Sequence, residues 1–244
     1  MKKPFVIGLI CIITAGGLWA QDTLKSVPTP KKQATPAKHL LFKDRVFVDI
    51  FSSYWLGVDK DITQKVVNMG CNAAIMFDIP VKKGKPFSFG LGVGVTNQNL
   101  HSDALWKIDN ADGGKTIAQE CPVADSAFKS NLSFTYVHIP LEFRFFHKSG
   151  FKMSVGVRVG LMADIHSKYF GPYIHEDGTV STDEKQQIKD YNIPNRTKIP
   201  IEVTFRTGWK FVSLNASYMI TPMFKKGDGP QVHPISFGIT INIY

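Results

Sequence analysis

The 244-residue sequence predicts an all-β fold, an eight-stranded antiparallel transmembrane β-barrel of the outer-membrane type. Three observations lead there. Apolar residues recur at every second position over about eight strand-length segments, the connections between those segments alternate between short and long, and the chain opens with a secretory signal.

The signal is read from Lys2 and Lys3, the apolar run Phe5 to Ile13, and the small residues and Leu18-Trp19-Ala20 that lead to Gln21. Cleavage after Ala20 makes residues 1–20 a signal peptide, and Cys11, inside the apolar run, leaves with it. The run is short for a spanning helix. Next comes "DTLKSVPTPKKQATPAKH", Asp22 to His39, rich in lysine, threonine and proline and without apolar period, so residues 21–42 read as a flexible periplasmic leader. Residues 43–244 are left for the barrel.

Arg45 to Val58 and Val66 to Pro80 are the first two candidate strands. In the third, Phe87 to Thr96, Phe87, Phe89, Leu91, Val93 and Val95 alternate with Ser88, Gly90, Gly92 and Gly94. The fourth, "LSFTYVHIPLEFRFF", sets Val137, Ile139, Leu141, Phe143 and Phe145 against His138, Pro140, Glu142 and Arg144. The fifth, "FKMSVGVRVGLMADI", sets Phe151, Met153, Val155, Val157, Val159 and Leu161 against Lys152, Ser154, Gly156, Arg158, Gly160 and Asp164. Lys198 to Lys210, Phe211 to Thr221 and Pro234 to Tyr244 complete the set. "IPIEVTF" in the sixth echoes "IPLEFRF" in the fourth, which places Glu202 and Arg206 like Glu142 and Arg144. Pro140 and Pro200 then mark bulges or ladder ends.

Short connections are "VKKGKP", "HKSG" and Gly208 to Phe211; long ones are "GVDKDITQ", residues 97–131, residues 168–197 and "PMFKKGDGPQVH". Lipid offers no water to satisfy an open sheet edge, so the sheet must close. A soluble β-sandwich would alternate too, but it predicts neither the short and long rhythm nor glycines repeated on a solvated face. In a narrow barrel the apolar face meets lipid and the polar face fills the interior, small residues beside large ones. Glu142, Arg144, Arg158, Glu202 and Arg206 form the expected luminal charge network, with both carboxylates paired to guanidiniums. An interior so filled argues against a porin.

Other functions are narrowed by what the residues lack. The net charge of +9 is spread along the chain without a basic stripe, which sets nucleic acid aside. Cys71 and Cys121 sit in unlike contexts and do not favour a disulfide, neither has metal-ligand company, and no cofactor or metal is expected. His101-Ser102-Asp103 and Asp164, His166, Ser167 stand where strands leave the membrane, and a histidine activated by an acid could there make a serine nucleophilic. Neither triplet has a strained elbow or an oxyanion donor, so no catalytic residue is assigned; a lipid-modifying enzyme is the alternative reading. Asp109, Asp112, Asp177, Asp183 and Glu184 read as solvated loop charge. Loop aromatics are the candidate partner-binding residues: Trp106 beside Leu105 and Ile108, and Tyr169, Phe170 and Tyr173 in "YFGPYI". An aromatic girdle at the headgroups explains Tyr169 and Phe170 equally well.

The Ala20-Gln21 junction, "YVHIPLEFRFF", "FKMSVGVRVGLMADIHSKY" and "GPQVHPISFGITINIY" together resemble the small outer-membrane β-barrel proteins of the Bacteroidetes type called PorT-like. The resemblance covers nearly all of residues 43–244. The filled interior, the triplets without an elbow and the loop aromatics lead to a non-enzymatic, membrane-anchored structural or binding subunit, and the resemblance implies the sharper role of an accessory of a protein secretion or barrel-assembly complex. Implied partners are outer-membrane lipid, other envelope proteins and the barrel-insertion machinery, with long loops extracellular and both termini periplasmic. Tyr244 supplies the terminal aromatic that insertion machinery reads, although Phe237, Ile239, Ile241 and Ile243 lie in the opposite phase.

Overall fold

The computed structural model describes residues 46–82, 85–109, 113–121, 128–175, 179–191 and 193–243. The signal peptide and leader assigned to residues 1–42, the terminal Tyr244, Asp112, Asp177 and the side chains of Asp109, Asp183 and Glu184 lie outside the described residues.

Eleven strands form: β1 Val46–Leu56, β2 Met69–Pro80, β3 Phe87–Ser102, β4 Ala104–Asp109, β5 Lys115–Glu120, β6 Lys129–Phe146, β7 Phe151–Ile174, β8 Val180–Asp190, β9 Ile201–Trp209, β10 Val212–Met219 and β11 His233–Ile243. Eight of them close an antiparallel ring in the order β1, β2, β3, β6, β7, β9, β10, β11, with β11 returning to β1 over eleven residue pairs from Val46↔Ile243 to Leu56↔His233. The fold class is therefore the one the alternation predicts. The other three strands are additions: β4 and β5 form a separate hairpin, and β8 pairs with β7 from Ser167 onward.

Period-two patterning produces the ring because each strand has one face for lipid and one for the interior. On β2, Ile75, Phe77 and Ile79 are exposed while Ala74, Met76 and Asp78 are buried. Glycine on the inner face makes room for large neighbours. A Cβ on Gly94 would stand 2.6 Å from the His138 ring and 2.7 Å from Ala74 Cβ, and one on Gly90 2.8 Å from Arg144 Nε, so neither position accepts a side chain unless the interior moves. The apolar belt on β7 runs from Phe151 to Leu161. Ten steps of about 3.3 Å, tilted by about 40°, give a height of about 25 Å, the thickness of the apolar band of outer-membrane barrels.

The tight turns gather at one end. Phe146 N donates to Pro86 O at 2.7 Å and Lys210 N to Gly150 O at 2.8 Å, and Val46 and Ile243 lie at this end also. Pro200 directly precedes β9, and Pro140 falls where the β3–β6 ladder skips from Leu91↔Leu141 to Gly94↔His138, its missing N–H being the reason.

At the far end the structure departs from expectation. β3, β6 and β7 continue well past the apolar belt, so much of residues 97–131 and 168–197 is strand and not plain polar loop. A bulge at Ala163 shifts the register from Tyr136↔Met162 to Thr135↔Asp164. The extra residue flips the phase of β7. Asp164, expected inside, has a side chain 45% exposed on the outer face, and Ile165 is fully buried in its stead. Above the bulge the polarity of the wall is reversed. Trp55, Leu100, Leu132, Phe134, Ile165, Met219 and Met223 pack inside with Ile62, Trp106, Ile193, Phe224 and Val232 from the connections. Outside, Asn97 Nδ2 donates to Thr135 Oγ1 at 2.9 Å and to Ser133 Oγ at 3.2 Å.

Candidate functional site

Inside the belt five of the eight strands, β1, β2, β6, β7 and β9, project three guanidiniums and four carboxylates into a space too narrow for water to surround them. They form one connected network. Asp78 Oδ1 accepts from Arg144 Nη1 at 2.9 Å, and Arg144 Nε donates to Glu142 Oε2 at 2.8 Å. Arg206 Nη1 reaches Glu142 Oε1 at 3.0 Å, while its Nη2 lies 3.5 Å from Asp49 Oδ2. Arg158 Nη2 donates to that same oxygen at 2.9 Å, and its Nη1 lies 3.4 Å from Glu202 Oε2, which also accepts from the Tyr136 hydroxyl at 2.8 Å.

Asp49 is the hub. Its Oδ1 accepts from Thr240 Oγ1 at 2.6 Å, and its Oδ2 from Asn72 Nδ2 at 2.7 Å in addition to the two arginines. Asn72 Oδ1 in turn accepts from Thr96 Oγ1 and faces His138 Nε2 at 2.8 Å. Arg206 stacks its guanidinium 4.1 Å above the Phe47 ring. At the turn end, Lys152, also buried, and Asn242 line a cavity of about 20 Å³ with Arg144 and Arg206, room for about one water. Charges buried this way hold only if each is paired and hydrogen-bonded.

The structure thus brings Glu142, Arg144, Arg158, Glu202 and Arg206 together, and it adds members the sequence reading missed. Asp78 carried a signal, since it continues the Ala74, Met76 phase against Ile75, Phe77 and Ile79. Asp49 carried almost none. β1 is apolar on both faces, with Phe47, Phe51 and Trp55 inside and Ile50, Tyr54 and Leu56 outside, so its phase is hidden.

The loop aromatics divide. Trp106, a candidate partner-binding aromatic, is instead buried at 6% exposure and stacks on Phe224 with ring centroids 5.5 Å apart. The β4–β5 hairpin carries it into the apolar cluster at the barrel mouth, which desolvates the indole more completely than a loop surface would. Tyr169 is likewise buried, tilted against Phe128 and near Cys121, because the Ala163 bulge has turned its position inward. Its hydroxyl donates to Pro172 O at 3.0 Å, and burial beside Cys121 pushes the phenol up to about 12. Phe170 and Tyr173 are exposed.

Neither serine of the rim triplets meets its histidine. His101 is on the outer face of β3, Ser102 is buried on the inner face, and Asp103 Oδ1 accepts from Thr63 N at 2.8 Å. Burial first, and Lys65 second, lower the His101 pKa. His166 Nδ1 lies 2.6 Å from Asp164 Oδ2 on the outer face of β7, and its ring meets Tyr191 at 5.2 Å, whereas Ser167 alternates to the other face. Cys71 is exposed on the outer face of β2 and Cys121 is buried, and no disulfide joins them. Among the described residues no cluster of three or more metal-ligating side chains occurs.

A closed ring of eight antiparallel strands, apolar outside and charged inside over about 25 Å, is a transmembrane β-barrel of the outer-membrane type. No family model and no curated protein matches the chain. Two crystal structures of Ail, the attachment invasion locus protein of Yersinia pestis, one of them in complex with the heparin analogue sucrose octasulfate, align over 81% of this chain and 96% of theirs. Identities are 8% and 9% and TM-scores 0.37 and 0.36, so the barrel assignment rests on the strand order and not on this likeness.

Proposed function

We propose that the chain is a non-enzymatic outer-membrane barrel that serves as a membrane-anchored structural or binding subunit. The observation that carries this reading is an interior closed at two levels, by the ion-paired network within the belt and by the apolar cluster around Trp55, Trp106 and Phe224 above it. A barrel closed twice offers solutes no path, and its work falls to its surface. The separation of Ser102 and Ser167 from His101 and His166 favours a barrel without chemistry of its own. Short turns are periplasmic in outer-membrane barrels; this orientation puts both barrel termini in the periplasm and Phe170 and Tyr173 outside, where they are available to a partner. The PorT-like resemblance supports the narrower role, an accessory of a protein secretion or barrel-assembly complex.

Planar-bilayer recording tests the closed interior: current stays near background in the intact protein, and a steady large conductance would overturn the reading. Extraction in mild detergent followed by mass spectrometry tests the subunit role, with a second envelope protein expected in constant ratio. A monomer carrying a chemically altered lipid would favour the enzyme instead.

A further inference from the structure

On the outer wall above the belt, strand register places four side chains in one row. His101 pairs with Asn131, Asn131 with Lys168, and Lys168 with Lys189. Buried Ile165 and Tyr169 on β7 fix the intervening Lys168 outward, and Lys129 stands two residues from Asn131 on the same face. None of the three lysines has an ion-pair or hydrogen-bond partner among the described residues. Like charges directly opposite across an antiparallel pair destabilise it. Lys168 and Lys189 are in that arrangement, and an anion held between them reverses the sign.

We propose that this wall of β6, β7 and β8 binds the acidic carbohydrate headgroup of a glycolipid in the surrounding outer leaflet, with Lys129, Lys168 and Lys189 holding its anionic group. The wall continues the apolar belt upward, so the neighbours it meets first are lipid headgroups. Height selects among them. From Leu161, the last belt residue of β7, six strand steps with the bulged Ala163 discounted reach Lys168, roughly 15 Å above the hydrocarbon. A phospholipid headgroup layer is only about 6 Å thick per leaflet. An anion at the level of Lys168 must therefore be carried on sugars. The rows between suit sugars: Asn97, Asn99 and Thr135 are neutral donors and acceptors, partly exposed and already in hydrogen-bonding register. Asp164, in the row nearest the membrane, repels a phosphate at the hydrocarbon boundary.

The inference rests on the outer-membrane reading, and one experiment separates the two. The purified chain is reconstituted into phosphatidylcholine nanodiscs containing either a ganglioside, whose carboxylate is borne on neutral sugars, or phosphatidylglycerol at equal charge, and retained lipid is counted by native mass spectrometry. Failure to insert defeats the membrane reading itself. With insertion, ganglioside is expected to be retained about tenfold over phosphatidylglycerol, and the Lys168→Gln/Lys189→Gln variant to lose about tenfold of that retention with unchanged heat-modifiability on gels. Equal retention of the two lipids overturns the proposal, as does indifference to the double substitution. So does lysine-dependent binding of soluble heparin without ganglioside binding, which would assign the wall to a free polysaccharide.

Discussion

The same strands build two regions of opposite polarity. Along β6, Phe143, Leu141, Ile139 and Val137 face out and Arg144, Glu142 and His138 face in; a few residues nearer the N-terminus, Thr135, Ser133 and Asn131 face out and Phe134 and Leu132 face in. The lower region is stabilised by buried charge and the upper one by buried apolar surface, as a soluble barrel would be. Solvent decides which. Where lipid surrounds the wall, the outward face must be apolar and polar groups are left to the interior; where water surrounds it, the interior becomes the apolar place. The lesson is that barrel interiors here follow from their exteriors, and the boundary between regions locates the membrane surface.

Substitutions can break that comparison, beginning with the largest effect. Asp49→Ala removes the carboxylate shared by Arg158 and Arg206 and leaves two guanidiniums short of a partner in a closed space. It should cost about 3–5 kcal/mol, measured as an earlier urea unfolding midpoint in detergent; a midpoint within error of wild type would mean that water fills the lower interior. In the upper region, Leu132→Ala opens a cavity in the apolar cluster and should cost about 2–5 kcal/mol, again by urea midpoint. A negligible cost there would show that the mouth is not packed in solution.

The smaller effects sharpen the boundary. Leu141 and Thr135 share the outer face of β6 on either side of it. Leu141→Arg at mid-belt should cost about 2–4 kcal/mol, whereas Thr135→Arg, opposite Asp164, should stay within about 1 kcal/mol. Folding equilibria into vesicles read both, and equal costs would place the membrane surface elsewhere.

How much of this was legible in the sequence follows from the same reversal. The eight belt segments are legible because one face is uniformly apolar, and the glycines on the other face point to a crowded interior. β6 and β7 above the belt are less so. "FTYV" joins Phe134 and Tyr136, which face in, to Val137, which faces out, so that a single apolar run hides a change of phase, and the extra Ala163 conceals the same change on β7. The burial of Trp106 and Tyr169 is not legible for a related reason: a loop aromatic looks the same in sequence whether it meets water or folds back over a mouth whose apolar lining is itself unseen.

The seam between β1 and β11 has a kinetic consequence. The other neighbouring strands of the ring are brought together by chain reversals, but the bond from Thr240 to Asp49 joins residues 191 apart. Contacts of such long sequence separation carry the slowest loop closure. Asp49 lies on this seam, where Thr240 bonds it, while Arg158 on β7 and Arg206 on β9 reach it across the interior that ring closure encloses, so an open sheet leaves these charges to water. Closing the ring and expelling its water become a single late step, and the final rate of assembly should respond to the charge at Asp49 more than to any residue on the lipid face.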